Sequence, residues 1–247
     1  MSERKLQKYL KRPLPSIIGT KTHTPVVLTD SKGFNLWDQV SNQIELEIRW
    51  WCKSSRTSVK GYDWLKQNIA QKIGRLDNIH LYVWLGTCDL TNYDGKFISL
   101  STEENKIQQI TDTFQEIIEL LKPYPACKIT FLEIPPYSIL DFNAYTKHDN
   151  PSTFKHQEEQ LIKKVEELNS SIRYINSTLD TFSPNFAIDI IHHHQEKTSK
   201  SKKLTIRDKY FFDLYRDGIH PKHRHYRMHR VLFMDSLSLC WTFTIVC

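Results

Sequence analysis

Residues 25–33, PVVLTDSKG, carry the clearest structural signal in the sequence. The run 25–29 is apolar on both faces, which is typical of a central strand in a parallel sheet. Ser31 follows that strand, and Gly33 permits a sharp bend two residues later. Because open parallel sheets bind ligands outside the carboxyl ends of their strands, Ser31 stands where a nucleophile would lie. The alternative interpretation is an N-cap serine at the start of the next helix.

On both sides of this stretch, short β-branched or aromatic runs alternate with longer segments of helical spacing. Further strands are predicted at 44–51, 80–85, 128–134 and 186–191, and helices at 62–73, 104–121, 154–179 and 224–239. This alternation predicts a three-layer α/β/α domain of the flavodoxin-like type, with about five parallel strands. The segments 91–102, 137–150 and 192–216 are predicted to be loops around a functional site.

The composition of the 247-residue chain predicts one globular domain. Hydrophobic residues make up 39% and aromatic residues 12%, enough for a sizeable core. Residues 1–24 hold two prolines and many lysines, so we expect a basic arm there, followed by a domain over 25–247. The net charge of +6 is concentrated in runs at 4–12, 197–203 and 222–230. These runs fit solvated faces, with nucleic acid or another acidic partner as the alternative.

The five cysteines favour a reducing compartment. They are odd in number and lack any CxxC pair, which argues against a disulfide framework and a zinc knuckle. The N-terminus is polar, without the apolar run of a secretory signal, and no stretch is long enough to span a membrane. We therefore expect a soluble intracellular protein, cytoplasmic or nuclear. Phosphate-cradle and dinucleotide motifs are also missing, so no cofactor is predicted.

A second polar stretch, YRDGIHP at 215–221, places Asp217 three residues before His220. A carboxylate at this spacing can orient an imidazole and stabilise the imidazolium that forms when the ring takes a proton. Alone, such a pair is usually structural. Together with Ser31 it predicts a hydrolase centre, in which the serine hydroxyl is the nucleophile.

Other histidines raise a metal hypothesis, which the spacing does not favour. The group comprises His192, His193, His194, His223, His225 and His229. No cysteine or second acidic ligand stands at a recognisable zinc-site spacing, so we predict no metal site. The triplet fits the end of a strand, and the later histidines fit a basic helix face.

The motifs DSKG, GTCDL and DGIHP, at 30–33, 86–90 and 217–221, resemble blocks I, III and V of the SGNH (GDSL-like) hydrolase superfamily. The resemblance covers nearly the whole predicted fold. It implies a serine esterase or acyl hydrolase with Ser31 as nucleophile, His220 as general base and Asp217 as the orienting acid. Basic SGNH domains without a signal also occur in proteins encoded by retroelements, and the chain is similar to these in its general character.

The chain departs from the family pattern at two oxyanion positions. The block II glycine should lie within 52–57, where no glycine is present, and the best alignment assigns Ser55. The resemblance then implies backbone donors at Ser31 and Ser55, and Cys88 in place of the block III asparagine. Since a thiol is a weak donor, activity should be weak or lost, unless Asn92 substitutes. The alternative function is an inactive SGNH-fold domain that binds nucleic acid or another acidic partner.

Overall fold

Four parallel strands form the central sheet in the computed structural model, which describes residues 20–38, 47–187, 190–191, 209–222 and 241–242. The strands, in chain order, are β1 (Thr20–Lys21), β2 (Thr24–Thr29), β3 (Arg49–Cys52), β4 (Ile79–Trp84), β5 (Thr91–Tyr93), β6 (Ile98–Leu100), β7 (Lys128–Phe131) and β8 (Trp241–Thr242). The central sheet has the order β3-β2-β4-β7. Strands β5 and β6 form an antiparallel hairpin, and β1 pairs with β8.

In the described part of the chain, five α-helices accompany these strands. They are α1 (Lys32–Trp37), α2 (Ser58–Leu76), α3 (Lys106–Leu121), α4 (Ile139–Tyr145) and α5 (Lys155–Thr178). Short 3₁₀ helices lie at Pro151–Phe154 and Phe212–Leu214. No helix in the part of the chain that the structure describes is long and apolar enough to cross a membrane.

Both faces of the sheet are buried. This explains why the sequences of β2 and β4 are mainly apolar at consecutive positions rather than alternating. Val26 and Leu28 belong to the core that α2, α3 and α5 complete on one face. On β4, Tyr82 and Trp84 alternate with the residues of that core and are equally buried, with Trp84 packed 5.2 Å from the ring of Phe186. The α/β/α prediction is confirmed.

The fifth predicted strand, 186–191, is not formed within the described residues. Phe186, Ala187 and Ile190 lie in turns, residues 188–189 lie outside the described part, and Ile191 makes one isolated bridge. Side chains of α5 instead take the hydrogen bonds of the β7 edge. Asn176 accepts from the N–H of Phe131 at 2.9 Å and donates to its carbonyl at 2.7 Å. This edge is therefore covered by a helix at Phe131, and the central sheet has four strands among the residues described.

Three other predicted boundaries also change. The second strand, predicted at 44–51, covers Arg49–Cys52, and residues 39–46 lie outside the described part. The predicted loop 91–102 contains the β5–β6 hairpin, and 137–150 contains α4, so both predictions are wrong. Asn143 of α4 holds the hairpin through two hydrogen bonds to the backbone of Ile98, at 2.9 and 2.8 Å.

Several predicted features lie outside the described residues. These are the arm up to residue 19, the basic runs 4–12 and 197–203, most of the run 222–230, the helix 224–239 and all six histidines named above as metal candidates.

Candidate active site

Ser31 meets the pair of Asp217 and His220 at the carboxyl end of the sheet, although it lies 189 positions before the histidine. The Oγ of Ser31 lies 2.9 Å from Nε2 of His220, and Nδ1 of that ring lies 2.8 Å from Oδ2 of Asp217. Ser31 occupies the N-cap position of α1, but its side chain makes no capping hydrogen bond. The hydroxyl therefore faces the imidazole, and the arrangement is that of a nucleophile, a base and a group that orients the base.

The loop 215–221 owes its shape to Gly218. This residue has φ +85°, and its carbonyl accepts a 2.9 Å hydrogen bond from the N–H of Ser138. A Cβ there would lie 2.6 Å from the carbonyl oxygen of Ser138 and 2.7 Å from the nitrogen of Phe142. Only glycine fits this backbone without displacement. The close approach anchors the loop of Asp217 and His220 to the start of α4.

Asp217 is fixed through both of its oxygens. Oδ1 accepts from the backbone N–H of His220 at 2.7 Å and of Ile219 at 3.1 Å. Oδ2 faces the ring and also accepts from Nη2 of Arg216 at 3.3 Å. Burial acts most strongly on this carboxyl and by itself raises the pKa. The hydrogen bond and charge of His220, with the two backbone donors, outweigh burial and lower the pKa of Asp217 to about 2. The carboxylate is thus held ionised beside the imidazole.

The lowered pKa of Asp217 predicts an acid-dependent loss of stability. A carboxyl whose pKa falls from 3.8 to about 2 on folding contributes about 2 kcal/mol above pH 3.8, lost as the pH falls through about 2. Urea denaturation at about pH 5 and about pH 2 measures this contribution. Asp217→Asn is the matched control, since it removes the titration. If the free energy of unfolding depended on pH equally in the two proteins, the lowered pKa of Asp217 would be contradicted.

The turn between β3 and α2 holds the residue aligned with the block II glycine. Ser55 has φ 55°, in the left-handed region that favours glycine, and it is exposed. Within the described residues, the backbone N–H of neither Ser31 nor Ser55 donates a hydrogen bond to another protein atom. Thr57 then caps α2 by accepting from the N–H of Lys60 at 3.3 Å. The glycine-like backbone is therefore present although the glycine is not.

The loop after β4 begins at Gly86, with φ +120°, and carries Cys88. The nearest polar contact of its Sγ is Oδ2 of Asp30, at 3.8 Å. Burial, together with the charge of Asp30, raises the pKa of the Cys88 thiol to about 12, so the group stays protonated at neutral pH. Next to it, Asp89 accepts from the N–H and hydroxyl of Ser58, at 2.9 and 2.7 Å, which ties this loop to α2. The alternative donor, Asn92, lies exposed on β5.

A buried ion pair beside Ser31 is the main feature that the sequence did not predict. Asp30 and Lys32 flank Ser31, and their side chains are 1% and 2% exposed. The ammonium of Lys32 contacts Oδ2 of Asp30 and donates to Oγ1 of Thr87 at 2.8 Å. The sequence offers no signal for this burial, because lysine side chains are rarely enclosed.

Within the described ranges, no group of three or more histidine, cysteine or acidic side chains is placed to hold a metal ion.

The fold is that of GDSL-like hydrolases. A GDSL-like lipase from Bacteroides thetaiotaomicron superposes with a TM-score of 0.59 at 12% identity, over 96% of this chain and 97% of that one. The acetyl xylan esterase AlAXEase gives 0.57 at 11% identity, over 86% and 98%. A lipase/acylhydrolase from Enterococcus faecalis gives 0.53 at 10% identity, over 89% and 97%. No protein-family model and no curated protein matches the sequence.

Proposed function

We propose that the protein is a serine ester hydrolase of the SGNH type. The hydrogen-bonded chain from Ser31 through His220 to Asp217 supports the proposal most directly. A serine hydroxyl beside an oriented imidazole can lose its proton to the ring and attack an acyl carbon, which is the first step of acyl transfer. Solved structures with this fold include proteins named as a GDSL-like lipase and an acetyl xylan esterase, which gives further support.

Each side chain has one role in the proposed reaction. The Oγ of Ser31 attacks the acyl carbon while Nε2 of His220 takes its proton. The tetrahedral intermediate then collapses, the acyl–oxygen bond to the alcohol breaks, and His220 returns the proton to the departing alcohol. A water molecule, deprotonated by the same ring, then attacks the acyl carbon. The bond from that carbon to Oγ breaks, the acid leaves, and His220 returns the proton to Ser31. Asp217 keeps the proton-bearing Nδ1 turned toward itself and stabilises the imidazolium in both half-reactions.

Two backbone amides are the proposed oxyanion donors. The N–H groups of Ser31 and Ser55 make no hydrogen bond to other described protein atoms, so both are available to a ligand. Ser55 follows the strand beside that of Ser31, and the parallel register of β2 and β3 brings Thr29 opposite Cys52. Cys88 occupies the third position, where its thiol contributes little because S–H is a weak donor.

Hydrolysis of short p-nitrophenyl esters tests the proposal, with Ser31→Ala as the control for background. Turnover by the wild-type protein that disappears in the variant is the expected result. Equal rates in both folded proteins would contradict ester hydrolysis for these substrates. They would favour the alternative, an inactive domain that binds nucleic acid, which a salt-dependent gel shift with random-sequence nucleic acid detects.

A further inference from the structure

The buried pair of Asp30 and Lys32 joins two loops of the candidate active site. Asp30 belongs to the turn that carries Ser31, and Oδ1 accepts the backbone N–H of Lys32 at 2.9 Å. The ammonium of Lys32 reaches across to Thr87, which precedes Cys88 on the loop after β4. Its Nζ also lies 5.3 Å from the centre of the Trp84 ring. One side chain thus spans the ends of β2 and β4.

Stability alone is a poor explanation for this arrangement. Two charges enclosed at 1% and 2% exposure lose their hydration, and replacing such a pair by apolar residues is often neutral or stabilising. A buried pair can, however, favour one geometry, because moving either loop would break contacts that enclosed charges need. The ammonium of Lys32 contacts both Asp30 and Thr87. Asp30 directly precedes Ser31 in the sequence, and Thr87 directly precedes Cys88.

We propose that Lys32 is a positioning residue, whose contacts to Asp30 and Thr87 fix the nucleophile turn against the oxyanion loop. The inference rests on the proposed hydrolase function and adds a residue to it. Lys32 does not touch the reacting atoms. It acts by holding Ser31 in line with the acyl carbon and the loop after β4 in place beside it. Small displacements of such groups can reduce rates about 10²-fold.

A matched pair at Thr87 tests the contact with little risk to folding. Thr87→Val removes the hydroxyl but keeps the shape, and is expected to lower kcat about tenfold with KM nearly unchanged. Thr87→Ser keeps the hydroxyl and is expected to restore kcat toward the wild-type value. A folded valine variant with the wild-type kcat would overturn the inference, because the hydroxyl would then contribute nothing to the rate. A purely steric role predicts the opposite order, with the serine variant, which lacks the methyl group, as the slower of the two.

The double variant Asp30→Asn/Lys32→Met tests the pair itself, because it removes both charges together and leaves neither one buried alone. The expected result is a cooperatively folded protein with kcat lowered about 10²-fold. Covalent labelling of Ser31 by a fluorophosphonate should slow in parallel. In that reaction the oxygen–phosphorus bond forms, fluoride leaves and His220 takes the serine proton.

These measurements separate the two proposals. A wild-type protein that labels at Ser31, with a folded double variant that labels and turns over equally fast, would overturn the positioning role and leave the hydrolase intact. A wild-type protein that neither labels nor exceeds Ser31→Ala in ester hydrolysis would overturn both.

Discussion

Asp217→Asn is expected to lower kcat for ester hydrolysis about 10⁴-fold, the loss seen when the acid of a Ser-His-Asp triad becomes an amide. The N–H groups of Ile219 and His220 will hold the amide oxygen at the position of Oδ1. The amide NH₂ then faces Nδ1 of the ring, where it donates instead of accepting. The ring is thereby forced to carry its proton on Nε2, which can no longer accept the proton of Ser31.

The measurement is kcat for a p-nitrophenyl ester at neutral pH, with the fold checked by thermal unfolding. Asp213→Asn is the matched control, because this exposed carboxylate lies four residues upstream and its loss changes the net charge equally. We expect the control to keep the wild-type rate. Equal kcat in the Asp217 variant and the wild-type protein would show that the carboxylate does not orient a catalytic base.

The geometry of the site follows from the order of the strands. Adjacent parallel strands β3, β2 and β4 end on the same edge, and each leads into one loop of the site. These loops carry Ser55, Ser31 and Cys88 respectively. The fourth loop, with Asp217 and His220, is fastened from outside through Gly218 to Ser138, after β7. A sheet of this order therefore gathers residues separated by up to 189 positions.

The sequence predicted what depends on local patterns. The β2 and β4 strands, the helices α2, α3 and α5 and the pairing of Asp217 with His220 all follow from periodicity or short spacing. What it missed depends on contacts between distant residues. The strand predicted at 186–191 fails because Asn176, 45 positions from Phe131, satisfies the β7 edge. The left-handed backbone of Ser55 could not be predicted either, because no residue in 52–57 is of a type that favours this conformation.

The buried Lys32 illustrates the same limit for the candidate site. From the sequence, Lys32 is a single charged residue in a predicted turn, and residues in turns are normally exposed to solvent. Its enclosure requires Thr87 and Trp84, more than fifty positions away. The three residues of the proposed triad were thus predictable from motifs, whereas the lysine proposed to position Ser31 was not.

Cys88→Asn is expected to raise kcat about 10²-fold, because it returns an amide donor to the oxyanion position where the wild-type protein has a thiol. The present S–H is a weak donor, and its nearest polar contact is Asp30 rather than a group at the open site. A side-chain amide forms a stronger hydrogen bond, and the negative charge that it stabilises exists only in the transition state. The gain should therefore appear in kcat while KM stays nearly constant.

Cys88→Ala is the control that measures the thiol itself. If the thiol contributes little, the alanine variant should hydrolyse esters at close to the wild-type rate, so the rise in the asparagine variant reports the new donor. The larger asparagine side chain must fit beside Asp30 without unfolding the protein. Thermal unfolding of both variants will check that they remain folded. A folded asparagine variant no faster than the alanine variant would show that position 88 does not face the oxyanion. In that case the departure from the family asparagine would have no bearing on rate, and the amides of Ser31 and Ser55 would carry the stabilisation alone.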